Sequence, residues 1–311
     1  MKKQKWLKRG LMVFLAMVLM AGIFPTSVAQ QASKEDAISQ IVSEEVSLRE
    51  DSSKRFLCED GSFIVAAYGS PVHFRDDGAW KEIDNSLVLN GKALSASGKA
   101  SYTPKASALT VSIPQDLSNG QQVKVSNKGY TFGFGVSTKN RSVNLQSAAT
   151  LVDVEKTPSA IALQQDAAQE TSAKSQGKLS KAEQIQEKNA KIMAVDNLSS
   201  AVVYKGMFPS ADLEYIVLPD RIKENIVVTK PQSEYTYRFD VSMDGLTAIP
   251  QENGSILLVE TVNPTEAVFL IEAPYMYDAN GDTSYNVKMS LEQSVLRTCL
   301  ASRQKHRNVV K

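Results

Sequence analysis

Short runs with apolar residues at every second position dominate the chain. Residues 63–68 end at Gly69-Ser70-Pro71, and residues 72–75 end at Asp76-Asp77-Gly78, a strong hairpin signal. Residues 80–84 alternate again, 86–90 follow, and Asn90-Gly91 marks another turn. Further runs fall at 109–113, 122–126, 130–136 and 149–154. After a break they resume at 202–204, 212–217, 222–229, 235–241, 255–260, 267–271 and 285–291. Asp244-Gly245, Asn253-Gly254 and Asn280-Gly281 punctuate this second set. Short strands with turn residues between them predict antiparallel sheets of the sandwich kind.

The break covers residues 156–196, where Gln, Ala, Lys, Glu and Ser dominate and aromatics vanish. Leu179, Ala182, Ile185, Ile192 and Met193 recur near helical spacing, with charges elsewhere. This predicts an amphipathic helix over about 180–194 with a thin apolar stripe, lying on a sheet. Residues 30–55 are polar and charged; Ile38, Ile41, Val42 and Val46 fit a short helix, and a solvated leader fits them as well. The expected architecture is mainly β: two antiparallel β-sandwich-like halves with a helical, low-complexity insert between them. Its expected parts are a signal peptide at 1–29, a polar leader at 30–55, a first β-rich unit at 56–155, a linker with the helix at 156–196, a second β-rich unit at 197–292 and a basic tail at 293–311.

The first segment changes the picture of charge. Lys2, Lys3, Lys5, Lys8 and Arg9 precede an apolar run over 10–24, Pro25 breaks it, and Ser27-Val28-Ala29 supplies a small-x-small exit. That is the pattern of a secretory signal peptide cleaved after Ala29, and the run is short for a bilayer span. The expected destination is extracellular or cell-wall-associated, with no stable membrane span after cleavage. The 311 residues carry a formal net charge of +1. Between Gln30 and Glu292, however, there are 25 basic and 34 acidic residues. A body at −9 argues against a nucleic-acid partner, which needs a basic surface. Arg297, Arg303, Lys305, Arg307 and Lys311 make the tail basic, and it holds no acid. The run at 285–291 then opens a hairpin with no evident return strand, so the tail reads as a truncated or frame-shifted end, or as a basic arm for an anionic wall polymer or lipid.

Candidate chemistry is sparse. His73 and His306 are the two histidines. His73 alternates with Val72 and Phe74 and reads as an exposed strand residue, without the motif of a nucleophilic enzyme. No phosphate loop or dinucleotide fingerprint is present, so no cofactor is expected. Asp212 and Glu214 share one face of a strand, a spacing that keeps a carbohydrate-active or carbohydrate-binding sandwich open. Asp278, Asn280 and Asp282 match the first positions of an EF-hand-like calcium loop, but Thr283 and Met289 break the pattern and Asn280-Gly281 reads better as a hairpin turn. Cys58 and Cys299 could pair in a secreted chain; the odd composition around Cys299 argues against it.

Three stretches together carry a resemblance. They are Phe63 to Tyr68 with Pro71-Val72-His73-Phe74 and the residues Trp80-Lys81-Glu82-Ile83-Asp84-Asn85-Ser86-Leu87; Val203-Tyr204 and Phe208-Pro209 with Ala211-Asp212-Leu213-Glu214-Tyr215 and Ile222-Lys223-Glu224-Asn225-Ile226-Val227-Val228; and Ala273-Pro274-Tyr275-Met276-Tyr277-Asp278-Ala279. Over residues 45–292 the chain resembles the N-terminal region of Gram-positive secreted wall-associated RHS/YD-repeat and DNRLRE-domain proteins. The resemblance implies a non-catalytic β-rich headpiece with a structural or adhesive role and a cell-wall polymer or glycan as partner. It leaves open a delivery role in a polymorphic toxin. No DNRLRE block or YD repeat follows in this sequence.

Overall fold

A computed structural model describes residues 39–90, 100–140, 142–164, 180–232, 235–292, 295–300 and 308–310. The signal-peptide segment with Ala29, the Asn90-Gly91 turn at Gly91, and His306 lie outside the described residues. Two compact units emerge: one comprises the chain up to Ile83 with Lys174–Asp196, the other Asp84–Ala173 with Asn197–Lys311.

The first unit contains β1 (Ile41–Glu44), β2 (Ser53–Cys58), β3 (Phe63–Ala67), β4 (His73–Asp76) and β5 (Ala79–Glu82). The second contains β6 (Asp84–Asn90), β7 (Ser101–Ala106), β8 (Thr110–Pro114), β9 (Val123–Asn127), β10 (Tyr130–Val136), β11 (Ala149–Val152) and helix α1 (Pro158–Gln164). Helix α2 (Lys181–Met193) returns to the first unit. The second then continues through β12 (Ser200–Phe208), β13 (Ala211–Val217), β14 (Ile222–Val228), β15 (Tyr235–Met243), β16 (Leu246–Pro250), β17 (Ile256–Glu260) and β18 (Ala267–Ile271). It finishes with β19 (Met276–Asp278), β20 (Thr283–Ser284), β21 (Val287–Glu292), β22 (Val295–Leu300) and β23 (Asn308–Val310).

In the first unit β1, β2 and β3 form an antiparallel sheet, and β4 and β5 form a hairpin. The hairpin turns at Asp77 and Gly78, both with positive φ (49° and 81°), as a tight two-residue loop requires. Ile41, Phe56, Cys58, Ala66 and Met193 make a small core, and Cys58 is a buried free thiol. Ile41 corrects the helical reading of the leader: it sits in a strand because β2 supplies hydrogen-bond partners and the core takes its side chain. Helix α2 begins at a capping box, with Ser180 and Glu183 satisfying each other's backbone N–H. It lies on this sheet: Asn189 Nδ2 donates to Ser39 O (2.8 Å), and Ile41 N donates to Asn189 Oδ1 (2.9 Å).

In the second unit an eight-stranded sheet runs β21-β22-β15-β10-β9-β8-β7-β6, and a seven-stranded one runs β11-β12-β13-β14-β23-β19-β20. All the pairs with given register are antiparallel, and β16, β17 and β18 form a third sheet. One apolar cluster joins Val111, Ile113, Val123 and Phe239 of the larger sheet to Tyr204, Leu213, Tyr215 and Val228 of the other. Strands from before and after the helical insert therefore share one core, through β10 on β15 and β11 on β12.

Two expectations about the end of the chain change here. β22 is the return strand for β21, with Leu291 opposite Leu296, and it also pairs with β15. The edge expected to be bare is thus paired. β23 inserts between β14 and β19, so the basic segment supplies two strands.

Candidate functional site

In the first unit a group of ionisable side chains forms among β1, β2 and the β4–β5 hairpin. Val72 N and His73 N both donate to the Asp51 carbonyl (2.7 and 3.0 Å), which seats β4 beside the start of β2. Glu44 closes β1, Arg49 follows the short turn at Val46–Leu48, Lys54 lies in β2, and Glu82 closes β5. Arg49 grips Glu44 with two bonds, Nε to Oε1 (2.6 Å) and Nη2 to Oε2 (3.1 Å), and also reaches Glu82 Oε1 (2.9 Å). Lys54 Nζ donates to the same Glu82 oxygen (2.8 Å). Two carboxylates thus face two cations. The bond to Glu44 raises the Arg49 guanidinium further, and the bond to Lys54 holds the Glu82 carboxyl below its ordinary value.

His73 completes the group, and its position corrects the sequence reading. The residue is 2% exposed, because the strand face opposite Phe74 points at Glu44 rather than at water. Its Nδ1 lies 2.6 Å from the Glu50 carbonyl oxygen. A carbonyl only accepts, so Nδ1 carries the proton and Nε2 presents a lone pair. Nε2 is buried, has no hydrogen-bond partner, and stands 4.0 Å from Glu44 Oε1. Burial pushes the imidazole below its ordinary pKa, and the charges of Arg49 and Lys54 act in the same direction against the Glu50 bond. Glu44, His73 and Glu82 each offer a donor atom within 4.8 Å of the others, the one such group of His, Cys, Asp and Glu among the described residues. Next to it Arg75 stacks on Trp80 at 4.0 Å.

The carboxylate pair of the carbohydrate reading is placed differently. Strict alternation on β13 predicts a free face for Asp212 and Glu214, yet Glu214 is fully buried. Helix α1 covers that face: Ser159 donates to Glu214 from its backbone N (3.1 Å to Oε2) and from its hydroxyl. Asn225 Nδ2, across on β14, donates to Glu214 Oε1 (2.6 Å). Asp212 Oδ1 accepts from Gly206 N (2.7 Å). Glu214 is committed inside the fold and has no surface to offer a sugar ring. One register step away Glu224 faces Tyr215, and burial pushes its carboxyl up to about 7.

Asp278 belongs to the β19–β20 hairpin. Its Oδ1 accepts from Asn280 N (2.9 Å) and Asp282 N (3.1 Å), and Gly281 takes a φ of 79° in the turn. The carboxylate serves the turn between Asp278 and Thr283, as the Asn280-Gly281 signal implies. Sequence reasoning missed Glu44, Arg49, Lys54 and Glu82 as a group. Glu82 carries a faint signal, as one of the polar positions in the 80–84 alternation, but nothing in the pattern joins it to Glu44.

No helix among the described residues is long and apolar enough to cross a membrane. No protein-family model matches the chain, and no solved structure matches it. Two curated proteins are similar to it. The tRNA3(Ser)-specific nuclease WapA of Bacillus spizizenii is 25% identical over 291 residues, which are 90% of this chain and 11% of that protein. The wall-associated protein of Geobacillus stearothermophilus is 23% identical over 261 residues, 83% of this chain and 82% of that protein. The chain thus spans a small part of the nuclease and most of the wall-associated protein, and its similarities point to the wall of Gram-positive cells.

Proposed function

We propose that this chain is a non-catalytic β-rich module of a secreted wall-associated protein, the headpiece of an RHS/DNRLRE-type polypeptide, with a structural or adhesive role. The observation that carries the reading is the similarity to a wall-associated protein over more than four-fifths of both chains. Two features support it. Glu214, the buried member of the carboxylate pair that a sugar-cleaving site would use, is engaged by Ser159 and Asn225. The negative body disfavours anionic partners and leaves neutral glycan strands as the better-matched wall component.

The test is co-sedimentation of the full chain with purified Gram-positive sacculi, with and without wall teichoic acid. Pelleting with both preparations is expected. A chain that stays in the supernatant with both would sink the reading, and turnover of tRNA or glycan by the same preparation would remove the word non-catalytic. A second reading rests on the nuclease similarity: a segment like this one forms part of a much longer protein named for its nuclease activity. On that reading the module belongs to a toxin-delivery polypeptide, and a toxin-immunity gene beside the locus distinguishes the two.

A further inference from the structure

We propose that Glu44, His73 and Glu82 form a binding site for one divalent transition-metal ion of the zinc type, which ties the β4–β5 hairpin to β1. The donor set is an imidazole nitrogen and two carboxylates, a combination that suits zinc and that calcium and magnesium avoid. The imidazole is oriented as a metal-bound one is. Its Nδ1–H is held by the Glu50 carbonyl (2.6 Å), so the lone pair of Nε2 is aimed at the carboxylates. That nitrogen is buried without a partner, although buried polar atoms are nearly always satisfied. An ion on Nε2 supplies the missing partner.

The donor atoms lie within 4.8 Å of one another, and Nε2 is 4.0 Å from Glu44 Oε1. Zinc bonds of about 2.0–2.2 Å require donor separations of roughly 3.3–3.6 Å, so the site closes by about one ångström on binding. Glu82 can make that movement, since its side chain is 49% exposed. Arg49 and Lys54 neutralise the carboxylates of the empty site and oppose a second cation. Lys54 is therefore the competitor: metal binding must pull Glu82 away from it. A staple has a clear use here, because the core of this unit is small for a folded unit standing alone.

The test is a titration of the chelator-washed full chain with Co2+, read by its visible d–d bands, followed by displacement with Zn2+. One ion per chain is expected. His73→Gln should abolish the bands, and Glu82→Gln should weaken binding by more than the roughly 10–100-fold that altering a group orienting a ligand costs. Lys54→Gln should tighten it, and His306→Gln should leave it unchanged. If His73→Gln does not fold by circular dichroism, the opposite responses of Glu82→Gln and Lys54→Gln decide the matter. No bands up to millimolar Co2+, which would leave a water-filled site, or bands that survive His73→Gln, would overturn the proposal.

Discussion

Asn225 donates from Nδ2 to Glu214 Oε1 across neighbouring strands at 2.6 Å, with both residues fully buried. The same carboxylate receives two bonds from Ser159 at the start of α1. Glu214→Ala leaves Ser159 and Asn225 without their acceptor in a closed space. Unfolding in urea should show a loss of about 2–4 kcal/mol, since hydrogen bonds to a charge are worth about 1.5–3 kcal/mol and orphaned buried donors add to that. Glu214→Gln keeps the shape and one acceptor, and should lose less than half as much. A neutral result for Glu214→Ala would show that α1 does not depend on this anchor.

Glu224 gives the fold a titration of its own. Burial raises its carboxyl from 4.5 to about 7. A carboxyl with a raised folded pKa binds its proton more tightly in the native state. Its stabilisation is complete below pH 4.5 and is lost as pH rises through 7. Glu224→Gln removes the titration and keeps the neutral shape. Paired urea unfolding of the two proteins should agree at low pH and diverge by up to about 3 kcal/mol at pH 9, with the glutamine form the more stable. Equal stabilities at pH 9 would mean that the carboxyl binds its proton no more tightly in the native protein than in the unfolded chain.

Gly135 is required by a close backbone approach on β10. A Cβ built there would stand 2.6 Å from the carbonyl oxygen of Gln121. Gly135→Ala should cost about 1–3 kcal/mol, as overpacking does. The thermal midpoint should fall by roughly 2–4 °C for each kcal/mol in a unit of this size. Gly133 meets only the ends of the Ser242 and Gln122 side chains, which can turn away, so Gly133→Ala should cost less. A larger loss at Gly133 would refute this ordering.

The strands that could be read from sequence are those whose alternation survives in burial. On β15, Tyr235, Tyr237, Phe239 and Val241 are buried at every second position, and β10 and β18 have the bounds that the pattern predicts. β13 kept its strand but lost its open face, because the cover is a helix whose Ser159 lies 55 residues before Glu214, which is not needed to find the strand; α1 leaves no periodicity strong enough to announce it. β7 was missed since Pro104 interrupts it, although a proline can sit opposite Leu87 in this ladder. β22 and β23 were missed because their basic composition suggested an appendage, and because β15, β14 and β19, on which they also pair, lie far away in sequence. The Glu44–His73–Glu82 group was invisible for the same reason. His73 and Glu82 face each other across the β4–β5 hairpin, but Glu44 joins them from a separate strand through the seating of His73 on Asp51.

The place of β22 in the larger sheet has a consequence for how the molecule assembles. It lies between β21 and β15, and β15 in turn holds β10 by the pairing of Phe134 with Val241. That end of the sheet therefore awaits residues synthesised some fifty positions after β15, while local hairpins such as β9–β10 close at once. Until Val295–Leu300 arrive, one side of Tyr235–Asp240 is an unsatisfied ladder of backbone groups. A nascent or stalled chain is thus sticky along that single line, and a chaperone or a neighbouring copy would meet it there first.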